Sequence, residues 1–133
     1  MSFQIDWLQE NNTRYRRSIS IASNSVINFD SGFYHDNELG KYTHVTVGYD
    51  KTRKAIVFIF KKFSERERIP DGLLKITRDS RGNSGKIAAL ALFKRNNINI
   101  QNYTGKYPPH FEKDVKYGEL YYINLDERNK IER

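Results

Sequence analysis

The sequence predicts an α+β protein with a strand-rich core, two β-hairpins and one main helix, arranged as a degenerate internal repeat. Three observations carry that prediction. Tyr42–Asp50 and Ala55–Phe63 are short runs rich in β-branched and aromatic residues, which suit a pleated, half-buried surface. Lys86–Asn97 instead places Ile87, Leu90 and Ala91 at helical spacing, with Leu92 and Phe93 widening the stripe. The order of elements also recurs: strand, strand, short helix, strand, strand, and then strand, helix, strand, strand. A chain of 133 residues fits one compact domain. Its loose halves are 14–63 and 73–125, and no Gly-, Ser- or Pro-rich linker is long enough to separate them.

Residues 1–13 read as a short arm or first helix anchored by Trp7 and Leu8. A basic tetrad, Arg14-Tyr15-Arg16-Arg17, follows. Ser18-Ile19-Ser20-Ile21 alternates polar and apolar residues and predicts a strand. Asn24-Ser25 marks a turn, and Val26-Ile27-Asn28-Phe29 a second strand. Asp30-Ser31-Gly32 offers an N-cap to one or two helical turns over Phe33–Leu39, stopped at Gly40. The hairpin Tyr42–Asp50 and Ala55–Phe63 turns at Lys51-Thr52-Arg53-Lys54. Ser64–Gly72 is a charged loop ending in Pro70-Asp71-Gly72, and Leu73–Thr77 a short strand. The alanines of Lys86–Asn97 favour a helix, and Lys94-Arg95 complements its C-terminal dipole. A last hairpin runs from Tyr107–Phe111 through a turn near Lys116-Tyr117-Gly118 to Glu119–Leu125. The tail 126–133 alternates charges and is expected to fray.

Composition narrows the chemistry. There is no cysteine, so disulfides and thiolate metal sites are excluded. His35, His44 and His110 form no ligand-spaced pair, and no metal or other cofactor is expected. No apolar run approaches the roughly 18 residues of a membrane helix. The polar start MSFQIDWLQENN lacks the pattern of a signal peptide, so a cytoplasmic protein without a membrane contact is expected. The net charge of +7 is concentrated centrally: residues 41–95 hold 14 basic and 5 acidic groups, whereas 96–133 hold 6 of each. Such a block attracts polyanions by counterion release.

Thr77–Phe93, TRDSRGNSGKIAALALF, invites comparison with a phosphate-binding P-loop, G-x-x-x-x-G-K-[ST]. Aligned on Gly85-Lys86, Ser80 stands at the first glycine and Ile87 at the metal-binding hydroxyl, so nucleotide hydrolysis is not expected. A gentler expectation survives: a helix capped by Asn83 or Ser84, with Lys86 in its first turn and Arg78 and Arg81 before it, would suit a backbone phosphate. Glu65, Glu67, Asp71 and Asp79 are interspersed with cations and read as a solvated face rather than an acid–base pair. No enzyme is predicted. The candidate nucleic-acid-binding residues are Arg14, Arg16, Arg17, Lys51, Arg53, Lys54, Lys61, Lys62, Arg66, Arg68, Arg78, Arg81 and Lys86 for phosphates, with Tyr15, Tyr42 and Tyr49 for stacking on bases.

Two families share this layout. SISIASNSVINFDSGFYHDNELGKYTHVTVGYDKTRKAIVFIFKK resembles the swapped-hairpin fold of AbrB-type transition-state regulators, with strand, strand, short helix and hairpin over about a third of the chain. The resemblance implies duplex DNA binding through basic residues, as a homodimer or as two tandem copies, in transcription regulation. Asn24–Phe29 departs from the family's Gly-x-[IV]-x-[IVL]-Pro step. HVTVGYDKTRKAIVFIFKKFSERERIPDGLLKITRDSRGNSGKIAALALFKRN is similar to the single-strand binders of the positive-cofactor-four and Whirly class, over about two fifths of the chain. Both resemblances imply DNA binding without catalysis; they differ on duplex against single strand. The competing expectation is a small interaction module or inhibitor, of the kind phages and mobile elements encode, that docks on an acidic protein partner.

Overall fold

The computed structural model describes residues 17–130. Ten strands make two five-stranded antiparallel sheets. In chain order they are β1 (Ile19–Ile21), β2 (Val26–Phe29), β3 (His44–Asp50), β4 (Ala55–Lys61), β5 (Leu73–Lys75), β6 (Thr77–Arg78), β7 (Gly85–Ala88), β8 (Gly105–Tyr107), β9 (His110–Asp114) and β10 (Gly118–Asn124). Helix α1 (Ser31–Asp36) follows β2, and α2 (Leu90–Arg95) follows β7. One sheet runs β6-β7-β2-β1-β8 and the other β5-β3-β4-β10-β9. The chain passes between them three times: through α1 from β2 to β3, at Ile76, which joins β5 to β6, and at Pro108-Pro109, which joins β8 to β9. The sheets are therefore joined at both edges into a flattened barrel. No helix among the described residues is long and apolar enough to cross a membrane.

The halves repeat at the level of single hydrogen bonds. The first half is a hairpin, a helix of six residues and a second hairpin; the second half keeps that order but adds β5 before it and β8 after its helix. At the end of α1 the Asn37 amide donates to the Phe33 carbonyl at 2.9 Å; at the end of α2 the Asn96 amide donates to Leu92 at 2.8 Å. A left-handed residue follows each, Glu38 (φ 51°) and Asn97 (φ 55°). In the β3–β4 turn the Asp50 carboxylate accepts from the N–H groups of Thr52 and Arg53, and Lys54 closes it in the left-handed region. In the β9–β10 turn Asp114 accepts from Lys116 and Tyr117, and Gly118 closes it. Four of the strand pairings, β2–β7, β1–β8, β3–β5 and β4–β10, link one half to the other.

Alternation along the strands sets the core. Ile19, Ile21, Ile27, Phe29, Val45, Ile56, Phe58, Ile87, Tyr107 and Ile123 point inward and are buried. Phe29 meets Phe58 edge-on at 5.4 Å, and Phe33 of α1 meets Tyr121 at 5.2 Å. Such pairs add about 0.5–1.5 kcal/mol beyond their buried area.

The expected main helix over 86–97 is corrected. Gly85–Ala88 is strand β7, paired with β2 through Val26↔Ala88 and Asn28↔Lys86, and only Leu90–Arg95 is helical. Alanine and leucine favour a helix, but β2 requires a partner, and tertiary pairing overrides propensity. Gly85 fits because its α-carbon is pressed close: an added methyl would lie 2.9 Å from Ile76 Cγ2. The tail is described as far as Lys130. A 3-10 turn at Leu125–Glu127 continues to Asn129, whose N–H donates to the Lys106 carbonyl while its Oδ1 accepts from the Lys106 N–H.

Candidate functional site

Register decides which of the basic residues reach solvent. Thr77 and Arg78 are consecutive on β6, so their side chains leave opposite faces. Thr77 lies opposite Lys86, on the outside. Arg78 lies opposite Gly85 and turns inward, where its guanidinium donates to the Tyr34 hydroxyl at 2.9 Å and to the carbonyls of Leu39 and Gly40 at 3.2 Å, and also to the Tyr42 carbonyl. The sequence placed Arg78 among the phosphate contacts; the structure makes it a clamp on the segment between α1 and β3.

The phosphate site expected at a helix start is also corrected. Lys86 lies on β7, not in a first helical turn. The N–H groups of Asn83 and Ser84, the two capping candidates, are bound by the Asp79 carboxylate at 2.6 and 3.3 Å. The loop is a self-capped β-turn between β6 and β7.

The stacking aromatics fare similarly. Tyr42 is half-buried against Phe60, ring centroids 5.7 Å apart, with the Lys41 ammonium 5.3 Å from its ring. Tyr42 and Glu38 together raise the pKa of Lys41. Tyr49 lies opposite Ile56 and packs against the core. Arg14, Tyr15 and Arg16 lie outside the described residues. Arg17 pairs with Asp36 at 2.5 Å.

The remaining cations separate into two places. Lys51, Arg53 and Lys54 sit in the β3–β4 turn, and two of them are paired: Arg53 with Glu112 at 3.4 Å and Lys54 with Asp126 at 3.6 Å. Glu112 raises the pKa of Arg53. The end of β4 lies about 20 Å away along a strand of seven residues. Here Lys61 and Lys75 flank His44 in one cross-strand row, and Lys86 lies beyond Thr77 on the adjoining sheet. Lys61, Lys62, Lys75, Arg81 and Lys86 are all exposed, and none has an ion-pair partner among the described residues. Arg66 and Arg68 extend from the loop that leaves β4 and are exposed too. Phe63 begins that loop and covers His44 edge-on at 5.4 Å, its N–H held by the Thr43 hydroxyl at 3.0 Å. Lys75 was missed in the sequence reading. Its signal was present, since Leu73-Leu74-Lys75 puts a polar residue at the end of an apolar strand.

Two clefts lie elsewhere. One of about 530 Å³ runs along the outer face of the sheet, over Val57, Ile59 and Leu120. Asp50, Glu112 and Asp114 border it, and the Arg53 guanidinium lies 4.8 Å from the Tyr122 ring. The other, about 540 Å³, lies between the end of α1 and the Pro108-Pro109 corner. It holds a His110–Glu127 pair at 2.6 Å and the Tyr121 hydroxyl, which donates to Asn37 Oδ1 at 2.8 Å. Burial raises the pKa of Tyr121.

No protein-family model, curated protein or solved structure matches the chain.

Proposed function

We propose that this is a non-enzymatic nucleic-acid-binding protein whose contact surface is the corner of the barrel where β4 ends and β5 passes into β6. One observation carries the reading: the strands and loops that meet at that corner carry seven exposed cations without an ion-pair partner among the described residues, whereas Lys51, Lys94, Arg95, Lys113, Lys116 and Lys130 lie singly or in pairs elsewhere. Arg17, Lys41, Arg53, Lys54, Arg78 and Arg128 instead bind groups of the protein itself. A cluster of cations left unneutralised opposes folding by self-repulsion and suits a polyanionic partner. DNA is the polyanion that the swapped-hairpin resemblance implies, in a cytoplasmic protein of transcription regulation.

A salt series tests the reading. Affinity for duplex and single-stranded oligonucleotides falls steeply as salt rises, with a slope set by the number of phosphates neutralised. Absence of binding to either at low salt refutes it. The second reading, a protein-interaction module that docks on an acidic partner, draws on the same exposed lysines. Failure of oligonucleotide binding, with retention of the chain on an acidic protein column through the same lysines, would promote it.

A further inference from the structure

Resting on the nucleic-acid reading above, we propose that the ligand is a double-stranded nucleic acid held by its sugar–phosphate backbone, without regard to base sequence, along a stepped row that crosses both sheets. The row runs Lys61, His44 and Lys75 across β4, β3 and β5, and then Thr77, Lys86 and Asn28 across β6, β7 and β2. All six side chains leave the outer face, because their neighbours Phe60, Val45, Leu74, Ile87 and Ile27 pack inward, but His44 is buried beneath Phe63 and only the other five reach solvent. Hydrogen-bonded strands lie about 4.8 Å apart, so the row covers about 10 Å from β4 to β5 and about 10 Å from β6 to β2, joined by the two-residue step from Lys75 to Thr77.

Three features select duplex backbone. First, the row offers ammonium, hydroxyl and carboxamide groups, the side chains that contact phosphate and sugar. The nearest acid at its far end is Asp30, which accepts from the Ser20 hydroxyl at 2.6 Å and also from Ser18; it marks the boundary at β1. Second, the row is longer than the roughly 12 Å width of a B-form major groove, so its ends reach phosphates of both strands. Third, the row itself offers no free aromatic for unpaired bases, and the exposed Phe111 and Tyr117 lie away from it, on β9 and in the β9–β10 turn. Tyr42 and Tyr49 pack against the core, and the Tyr122 ring has His110 stacked at 5.0 Å and Arg53 at 4.8 Å. A single strand led along the outer cleft would also pass Asp50, Glu112 and Asp114. Phe63 is the one aromatic at the row; it lies over His44.

The test is fluorescence anisotropy on the full chain. The probes are two duplexes of unrelated sequence, roughly three helical turns long, and a single strand of equal length. The two duplexes should bind within about threefold of each other and more tightly than the single strand. Changing Lys61, Lys75 and Lys86 together to Ala should lower the slope of log affinity against log salt by about 3, whereas Lys94→Ala with Arg95→Ala should leave it unchanged. Phe63→Ala should leave duplex affinity within about twofold of wild type. A single strand bound tenfold more tightly than duplex, a tenfold difference between the two duplexes, or a tenfold loss from Phe63→Ala would overturn this inference while leaving nucleic-acid binding intact. An unchanged slope in the triple variant, with its folding confirmed by circular dichroism, would overturn the location. No binding of any probe would overturn the nucleic-acid reading itself.

Discussion

Replacing Arg78 by alanine should weaken the fold and spare the contact surface, although the residue is a cation in the middle of the basic block. Its guanidinium donates to one hydroxyl and three backbone carbonyls. Hydrogen bonds to a charged group contribute about 1.5–3 kcal/mol each. Arg78 is only half-buried, so its bonds to the Leu39 and Gly40 carbonyls are discounted for solvent screening. Counting the Tyr34 hydroxyl and the Tyr42 carbonyl alone, at the lower bound, gives about 3 kcal/mol. Urea unfolding followed by far-ultraviolet circular dichroism reads this directly. With a slope of about 2 kcal/mol per molar urea, the midpoint falls by about 1.5 M at unchanged slope. In a thermal scan the same loss lowers Tm by about 10 °C for a chain of this length. Arg78→Lys keeps the charge but loses the planar fork, and should recover less than half. Lys86→Ala should behave oppositely, with stability near wild type and a shallower salt dependence of binding. An Arg78→Ala protein within about 0.5 kcal/mol of wild type would refute the clamp.

Other sites give further expectations. Phe58→Ala removes a fully buried ring that meets Phe29 edge-on and should cost about 3–5 kcal/mol in chemical denaturation. Gly85→Ala places a methyl 2.9 Å from Ile76 Cγ2 and 3.4 Å from Tyr34 Cε2, and should cost about 1–3 kcal/mol by overpacking the β6–β7 hairpin. Burial pushes the Tyr107 phenol up to about 12. Its neutral form is favoured in the folded chain, so the stability it contributes is full below pH 10 and is lost as pH rises through about 12. In an ultraviolet phenolate titration it should ionise after the exposed tyrosines and only together with unfolding, and Tyr107→Phe should remove that component.

The strands of the fold were legible in the sequence where composition and alternation agree. The β3–β4 hairpin is an example, since Val45, Val47, Ile56, Phe58 and Phe60 declare both an extended chain and an inner face. Gly85–Ala88 was not legible, because Lys-Ile-Ala-Ala suits a helix locally and becomes a strand only when β2 is present to bind it. Nor could the sequence tell the two sides of Thr77-Arg78. A shift of one residue in register exchanges the faces, and only pairing with β7 shows that threonine meets solvent and arginine the interior. The proposed contact surface was therefore half visible. Charge density located Lys61, Lys62, Arg81 and Lys86, but charge alone did not separate them from Arg53 and Lys54, whose partners Glu112 and Asp126 are far away in the chain.

The repeated halves also set how the chain can fold. Neither half can satisfy its own strand edges, because β2 pairs with β7, β1 with β8 and β4 with β10 across the seam. These pairings join residues as distant as Ile19 and Tyr107, so the chain must close long loops before the barrel rewards it. Folding should thus be slow for a protein of this size, in the millisecond-to-second range of high-contact-order β proteins. Cleavage within the exposed 64–72 loop should then yield two fragments, each holding what the other lacks, that recover the barrel only when mixed.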